Sequence, residues 1–162
     1  ALATAIGVGV GSLYRYVPSK HELIAALVLE RLTQIDADVR AALASDTPAA
    51  EALWSVLGEL AEQQAADGVM GRAIELVGED PRVRRARGRV TAAFDALIDR
   101  GKAEGSVRAD AGGLDVHLLF AATRAARTVD PTGWRRVLAL FIDALRVETI
   151  ESASEVPDRA RP

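Results

Sequence analysis

The 162 residues are 49% hydrophobic and 27% charged, with a net charge of −3 and no cysteine. A chain of ~150 residues buries roughly 70% of its unfolded surface, so a real core is available, and the lack of cysteine excludes disulfides and thiolate metal sites. No apolar run approaches the ~18 residues of a membrane span and no basic-then-apolar leader opens the chain, so a cytoplasmic protein with no membrane partner is expected. Alanine and leucine dominate while aromatic residues make up only 4%, a balance that favours an all-α fold.

The first 20 residues contain Arg15 and Lys20 and no acid, a small basic end on an acidic body. They include "GVGVGSLYRYVPSK". A dinucleotide fingerprint would need a third glycine where Ser12 stands, and a Walker loop would need Gly-Lys-Ser/Thr after a strand. The stretch reads instead as helix, turn, helix: Gly7 supplies a C-terminal exit, Val8 plugs inward and Gly9 caps a short helix. Leu13 and Val17, four apart, face inward; Gly11, Ser12, Arg15 and Tyr16 face out, with Val10 and Tyr14 on the flank. Such an acid-free face suits a DNA groove.

"SKHE" is a capping box that starts a long helix from Ser19 to about Ala44, with Ser19 as cap and Glu22 returning the bond. Its stripe is Ile24, Val28, Leu32, Ile35, Val39 and Leu43, and Leu23 with Leu27 adds a second patch. Thr47 and Pro48 read as N-cap and first residue of a second helix to about Asp67, buried through Leu53, Trp54, Leu57, Leu60 and Ala61 and stopped at Gly68. A short helix over Met70 to Val77 follows, then one opened by Pro81 that buries Val90, Phe94, Leu97 and Ile98 and is broken by "GKAEGSVRAD". "GGLDVHLLFAATRAA" and "TGWRRVLALFIDALRV" give two more, before a polar tail from about Glu151 that is expected to fray. The last helix has two stripes, Trp134, Leu138, Phe141, Leu145 and Val137, Leu140, Ala144, Val147. Two stripes mean either an isologous dimer interface or a helix buried on both sides within one chain.

"IGVGVGSLYRYVPSKHELIAAL" resembles the recognition end of the TetR family of bacterial transcriptional repressors, with Gly7, Val8, Gly11, Ser12, Leu13, Tyr14, Tyr16, Val17, Pro18, Ser19 and Lys20 in register. The motif covers about the first 27 residues; beyond it the likeness is one of architecture. The resemblance implies that Ser12, Tyr14 and Lys20 hold DNA phosphates, with Tyr16 a fourth, and that Val10, Gly11 and Arg15 approach base edges. It also implies a division into residues 1–27, the latter part of a helix-turn-helix domain whose first helix is missing, residues 28–150, a helical effector-binding and dimerisation domain, and a polar tail over 151–162. With that first helix missing, the 162 residues alone are expected to bind DNA poorly. The implied function is a homodimeric repressor on palindromic double-stranded operator DNA, released by a small-molecule effector. The alternative is a helical-bundle module that docks a protein or a small molecule without touching DNA.

Residues of the middle helices that could line an effector pocket are Trp54, Leu57, Gln64, Met70, Ile74, Phe94, Leu97, Phe120 and Arg124, each of which core packing would also explain. Candidates for the dimer interface are Leu118, Trp134, Val137, Leu138, Phe141 and Leu145. Arg82, Arg84, Arg85, Arg87 and Arg89 could hold an anionic effector, but they spread around their helix as a solvated face does. His117, between Val116 and Leu118, reads as a hydrogen-bonded core or interface residue, and His21 as a surface residue. No H-E-x-x-H or G-x-S-x-G occurs and no cysteine nucleophile exists, so no enzyme, cofactor or metal is called for.

Overall fold

A computed structural model describes residues 19–147, which form six helices: α1 Lys20–Ala44, α2 Ala49–Ala66, α3 Met70–Val77, α4 Pro81–Ala103, α5 Gly113–Val129 and α6 Gly133–Leu145. The fold is all-α. Among the described residues the nearest thing to a strand is one isolated antiparallel bridge between Val107 and Arg146. The helix starts follow local chemistry. Ser19, in extended backbone, accepts from the Glu22 amide at 3.1 Å, and Asp80 accepts from the Arg82 amide at 2.8 Å with Pro81 at the first position of α4.

Two starts depart from the local reading. The Glu22 carboxylate leaves the capping box half made and bonds Arg82 at 2.9 Å instead. Helix α2 begins at Ala49, so Pro48 is itself the N-cap and Thr47 lies outside it; having no polar side chain, Pro48 makes no capping bond. Glu104, from the far end of α4, accepts from the Ala49 amide at 2.7 Å and caps α2 in its place.

Helix α4 is the hub. It runs parallel to α1, joined near their starts by Arg82 to Glu22 and at their ends by Arg100 to the Leu43 carbonyl at 2.7 Å. It runs antiparallel to α5, where the Asp95 carboxylate accepts from the Gly113 amide at 2.6 Å and Thr91 meets His117. The Gly113 position has to be glycine-sized: a Cβ there would lie 2.8 Å from the Thr91 carbonyl oxygen. Val83, Val90, Phe94, Leu97 and Ile98 of α4 meet Val28 and Val39 of α1, Leu53 and Leu57 of α2 and Leu119 of α5 in one core.

Helices α5 and α6 form an antiparallel pair in which the two stripes of α6 are unequally buried within this chain. Trp134 and Leu145 are each 5% exposed, so they belong to the core of their own chain, a correction to their placing on an interface. Val137, Leu138 and Phe141 are part-buried against that core, whereas Leu140 is 51% exposed on the other stripe. On α5, Leu114 and Leu118 stand one turn apart, both exposed.

Candidate functional site

The site begins at the first turn of α1, where Lys20 is exposed and the helix presents free amides that favour an anion. Lys20 is the one DNA-contact candidate in view; Val10, Gly11, Ser12, Tyr14, Arg15 and Tyr16 lie outside the described residues. Just behind Lys20, Glu22 is held by Arg82, whose guanidinium also grips Asp80 through Nε at 3.1 Å and Nη2 at 2.6 Å. The side-chain bond from Arg82 and its backbone amide hold the Asp80 carboxyl well below the usual carboxylate range. Asp80 and Glu22 in turn raise the Arg82 pKa. His21, Glu22 and Asp80 bring three potential metal-ligating atoms within 4.8 Å of one another. Arg82 already balances both carboxylates there, and a metal ion would have to displace it.

The effector-pocket candidates separate into three groups. Leu57, Phe94 and Leu97 are at most 2% exposed and fill the core, and Trp54, Met70, Ile74 and Phe120 pack part-buried against it. Gln64 makes a polar knot between α2 and α5: its Nε2 donates to the Phe120 carbonyl at 3.2 Å and its Oε1 accepts from Thr123 Oγ1 at 2.9 Å. Arg124 is exposed, its stem laid over Gly71, where a Cβ would meet Arg124 Cδ at 2.8 Å, and its Nη2 lies 3.4 Å from Glu75. Gln64 and Arg124 thus tie α5 to α2 and α3. Thr123, 1% exposed, carries no signal in the sequence; its hydroxyl is also within 3.1 Å of the Phe120 carbonyl one turn back, a bond that lets threonine hide in a helix.

The structure opens recesses elsewhere. One of about 720 Å³ is an open groove between the α4–α5 connection and the end of α6, lined by Lys102, Val107, Arg108, Asp143, Arg146 and their neighbours.

His117 is half-buried between α4 and α5. Thr91 Oγ1 has one proton and stands 3.0 Å from the Arg87 carbonyl, which can only accept it, so at 2.7 Å His117 Nε2–H donates to Thr91. Burial first, then Arg87, lower the imidazole pKa, with Asp95 opposing them. His21 is exposed.

Comparison with known proteins follows the same lines. A family model described as "Transcriptional regulator SbtR-like, C-terminal domain", a TetR C-terminal domain, matches residues 48–147. The TetR transcriptional regulator SCO0520 of Streptomyces coelicolor is 28% identical, with 90% of this chain and 85% of that one covered and a TM-score of 0.67. The TetR transcription regulatory protein of Mycobacterium vanbaalenii is 28% identical over 90% and 80% of the two chains, with a TM-score of 0.64. A protein from Shewanella sp. PV-4 shares the fold at 20% identity over 90% and 85%, with a TM-score of 0.57. No curated protein matches. With a TetR C-terminal domain matched across α2 to α6 and two TetR regulators superposing over nine-tenths of its length, the chain belongs to the TetR family of transcriptional regulators.

Proposed function

We propose that this TetR-family regulator is a repressor that holds operator DNA as a homodimer and releases it when a small molecule binds the helical body. The observation that carries the reading is the placement of Lys20: it sits in the first turn of a 25-residue helix that follows the "GSLYRYVPSK" motif and packs into the body through Val28, Leu32 and Val39. A change in the packing of that body therefore acts on the helix that bears the DNA contact. Val10, Gly11 and Arg15 read base edges, and Ser12, Tyr14, Tyr16 and Lys20 hold phosphates. Residues 1–27 serve DNA, residues 28–150 serve the effector and the partner copy, and the protein carries out no catalysis and works in the cytoplasm.

The dimer face is the outward side of α5 and α6. Leu114 and Leu118 on α5 are 67% and 58% exposed, and Leu140 on α6 and Val147 just beyond its end 51% and 45%, an apolar surface that a second copy would cover isologously. The effector enters among α2, α3, α4 and α5, where Trp54, Met70, Ile74 and Phe120 are only part-buried. A ~100-fold release requires ~2.7 kcal/mol of differential affinity between the two conformations.

The test is titration of the full-length regulator against the DNA upstream of its own gene, by fluorescence anisotropy over a salt series. Operator preference over unrelated duplex, with log K falling steeply against log salt, is the expected result. A flat salt response would refute DNA binding.

A further inference from the structure

Between Arg82 and Arg89 the sequence places five arginines and no acid, in a chain whose net charge is −3. Ion pairs absorb part of this charge: Arg82 serves Glu22 and Asp80, and Arg84 lies 3.4 Å from Glu79. Arg85 and Arg89 are exposed and make no ion pair among the described residues. Arg82, Arg85 and Arg89 recur at three and four residues, so they form one row along α4. The row starts where Arg82 bonds Glu22, two residues after Lys20.

We propose that the arginine row of α4 is a second, sequence-independent surface for the DNA phosphate backbone, continuous with Lys20. The inference rests on the reading of Lys20 as a DNA contact. Helices α1 and α4 are parallel, so both N-terminal ends, each with its helix dipole positive, face the same way. The row spans about 10 Å of a convex helix face. A small anion needs donors converging in a concavity, whereas a backbone that repeats its charge along an axis needs them spread out in line. Charge of this kind positions and steers the protein without reading bases.

The experiment compares the full-length protein with Arg85→Gln/Arg89→Gln and with Arg146→Gln, on operator and on an unrelated duplex over a salt series. Arg146 is the control because it is exposed and pairs with Val107, beyond the far end of α4 and about 34 Å from its start. The double variant should bind both duplexes several-fold more weakly, with the salt slope reduced by about 1 for each phosphate no longer held and operator preference retained, while Arg146→Gln leaves the slope alone. Unchanged affinity and slope in the double variant would overturn the proposal, as would an equal loss in Arg146→Gln, which would mean that net charge alone is felt. A wild-type protein without a salt slope would instead overturn the DNA-binding reading beneath it.

Discussion

Replacing Arg100 by methionine tests how the body is held together. From α4 its guanidinium donates to the carbonyl of Leu43 at 2.7 Å, in the last turn of α1, and to those of Ser45 at 3.1 Å and Thr47 in the turn between α1 and α2. Its Nε donates to Glu104 at 3.0 Å, and Glu104 is the cap of α2. One side chain thus satisfies a carbonyl that α1 leaves open at its C-terminal end and orients the group that covers an amide of α2. Hydrogen bonds to a charged donor are worth ~1.5–3 kcal/mol when only one partner is deleted, and the Arg100 side chain is 25% exposed, so water replaces some of them. Methionine keeps the stem, and the net cost should be about 3 kcal/mol. At ~2–4 °C per kcal/mol for a protein of this size, the midpoint falls by roughly 6–12 °C, read by far-UV circular dichroism at fixed protomer concentration. Glu104→Gln keeps a carbonyl acceptor for Ala49 and should cost less. A loss of under about 1 kcal/mol for Arg100→Met, with an unchanged denaturant slope, would mean that the turn satisfies its own carbonyls and that the capping argument is wrong.

Three further outcomes follow from local geometry. Gly113→Ala places a Cβ 2.8 Å from the Thr91 carbonyl oxygen and should cost ~1–3 kcal/mol, whereas Gly58→Ala meets nothing within 4 Å and should gain ~0.5–1 kcal/mol, both measurable by urea denaturation. His117 has its pKa lowered from 6.5, so the folded protein binds fewer protons than the unfolded one; its contribution to stability is present above about pH 6.5 and is lost as pH falls below that value. In His117→Gln this loss should disappear from the stability profile, while the loss from Glu104, Asp110 and Asp130, whose pKa values are lowered from 4.5, 3.8 and 3.8, remains below about pH 4.5. Leu118→Asp/Leu140→Asp, on the proposed dimer face, should sediment as a monomer with its helix content intact; an unchanged dimer would place the interface elsewhere.

What the sequence made legible was whatever neighbouring residues decide among themselves. The stripe Val28, Leu32, Val39 specifies a helix and its inward face together, Ser19 caps at three residues' distance and Pro81 opens α4. What it hid was decided across the fold. Thr47-Pro48 has the local form of a helix start, yet the Ala49 amide is satisfied from Glu104, 55 residues away, and Glu22 abandons its capping box for Arg82, 60 residues away. Of the two stripes on α6, either could face in, and only the neighbours it packs against select the one with Trp134 and Leu145. The partners of Gln64 and Arg124, a backbone carbonyl on α5 and an acid on α3, leave no spacing rule behind.

The two arginines that join α4 to α1 differ in a way that bears on how the regulator works. At the far end Arg100 holds backbone carbonyls in a quarter-exposed site, while at the Lys20 end Arg82 holds the Glu22 side chain with both partners at least 40% exposed. Salt screens the exposed pair and flexible side chains weaken it, whereas carbonyl bonds at a turn move only if the backbone moves. The polar link between α1 and α4 is therefore firmer at the C-terminal end of α1 than at its N-terminal end, where Ala25 and Val28 anchor the helix in the core. A 25-residue helix is ~37 Å long, so a turn of about 5° about the Arg100 end carries Lys20 through ~3 Å, enough to break the phosphate hydrogen bond proposed for it. On the proposed reading, in which Lys20 holds a phosphate, a small repacking among α2, α4 and α5 is enough to alter DNA contact, and no large displacement of the body is required.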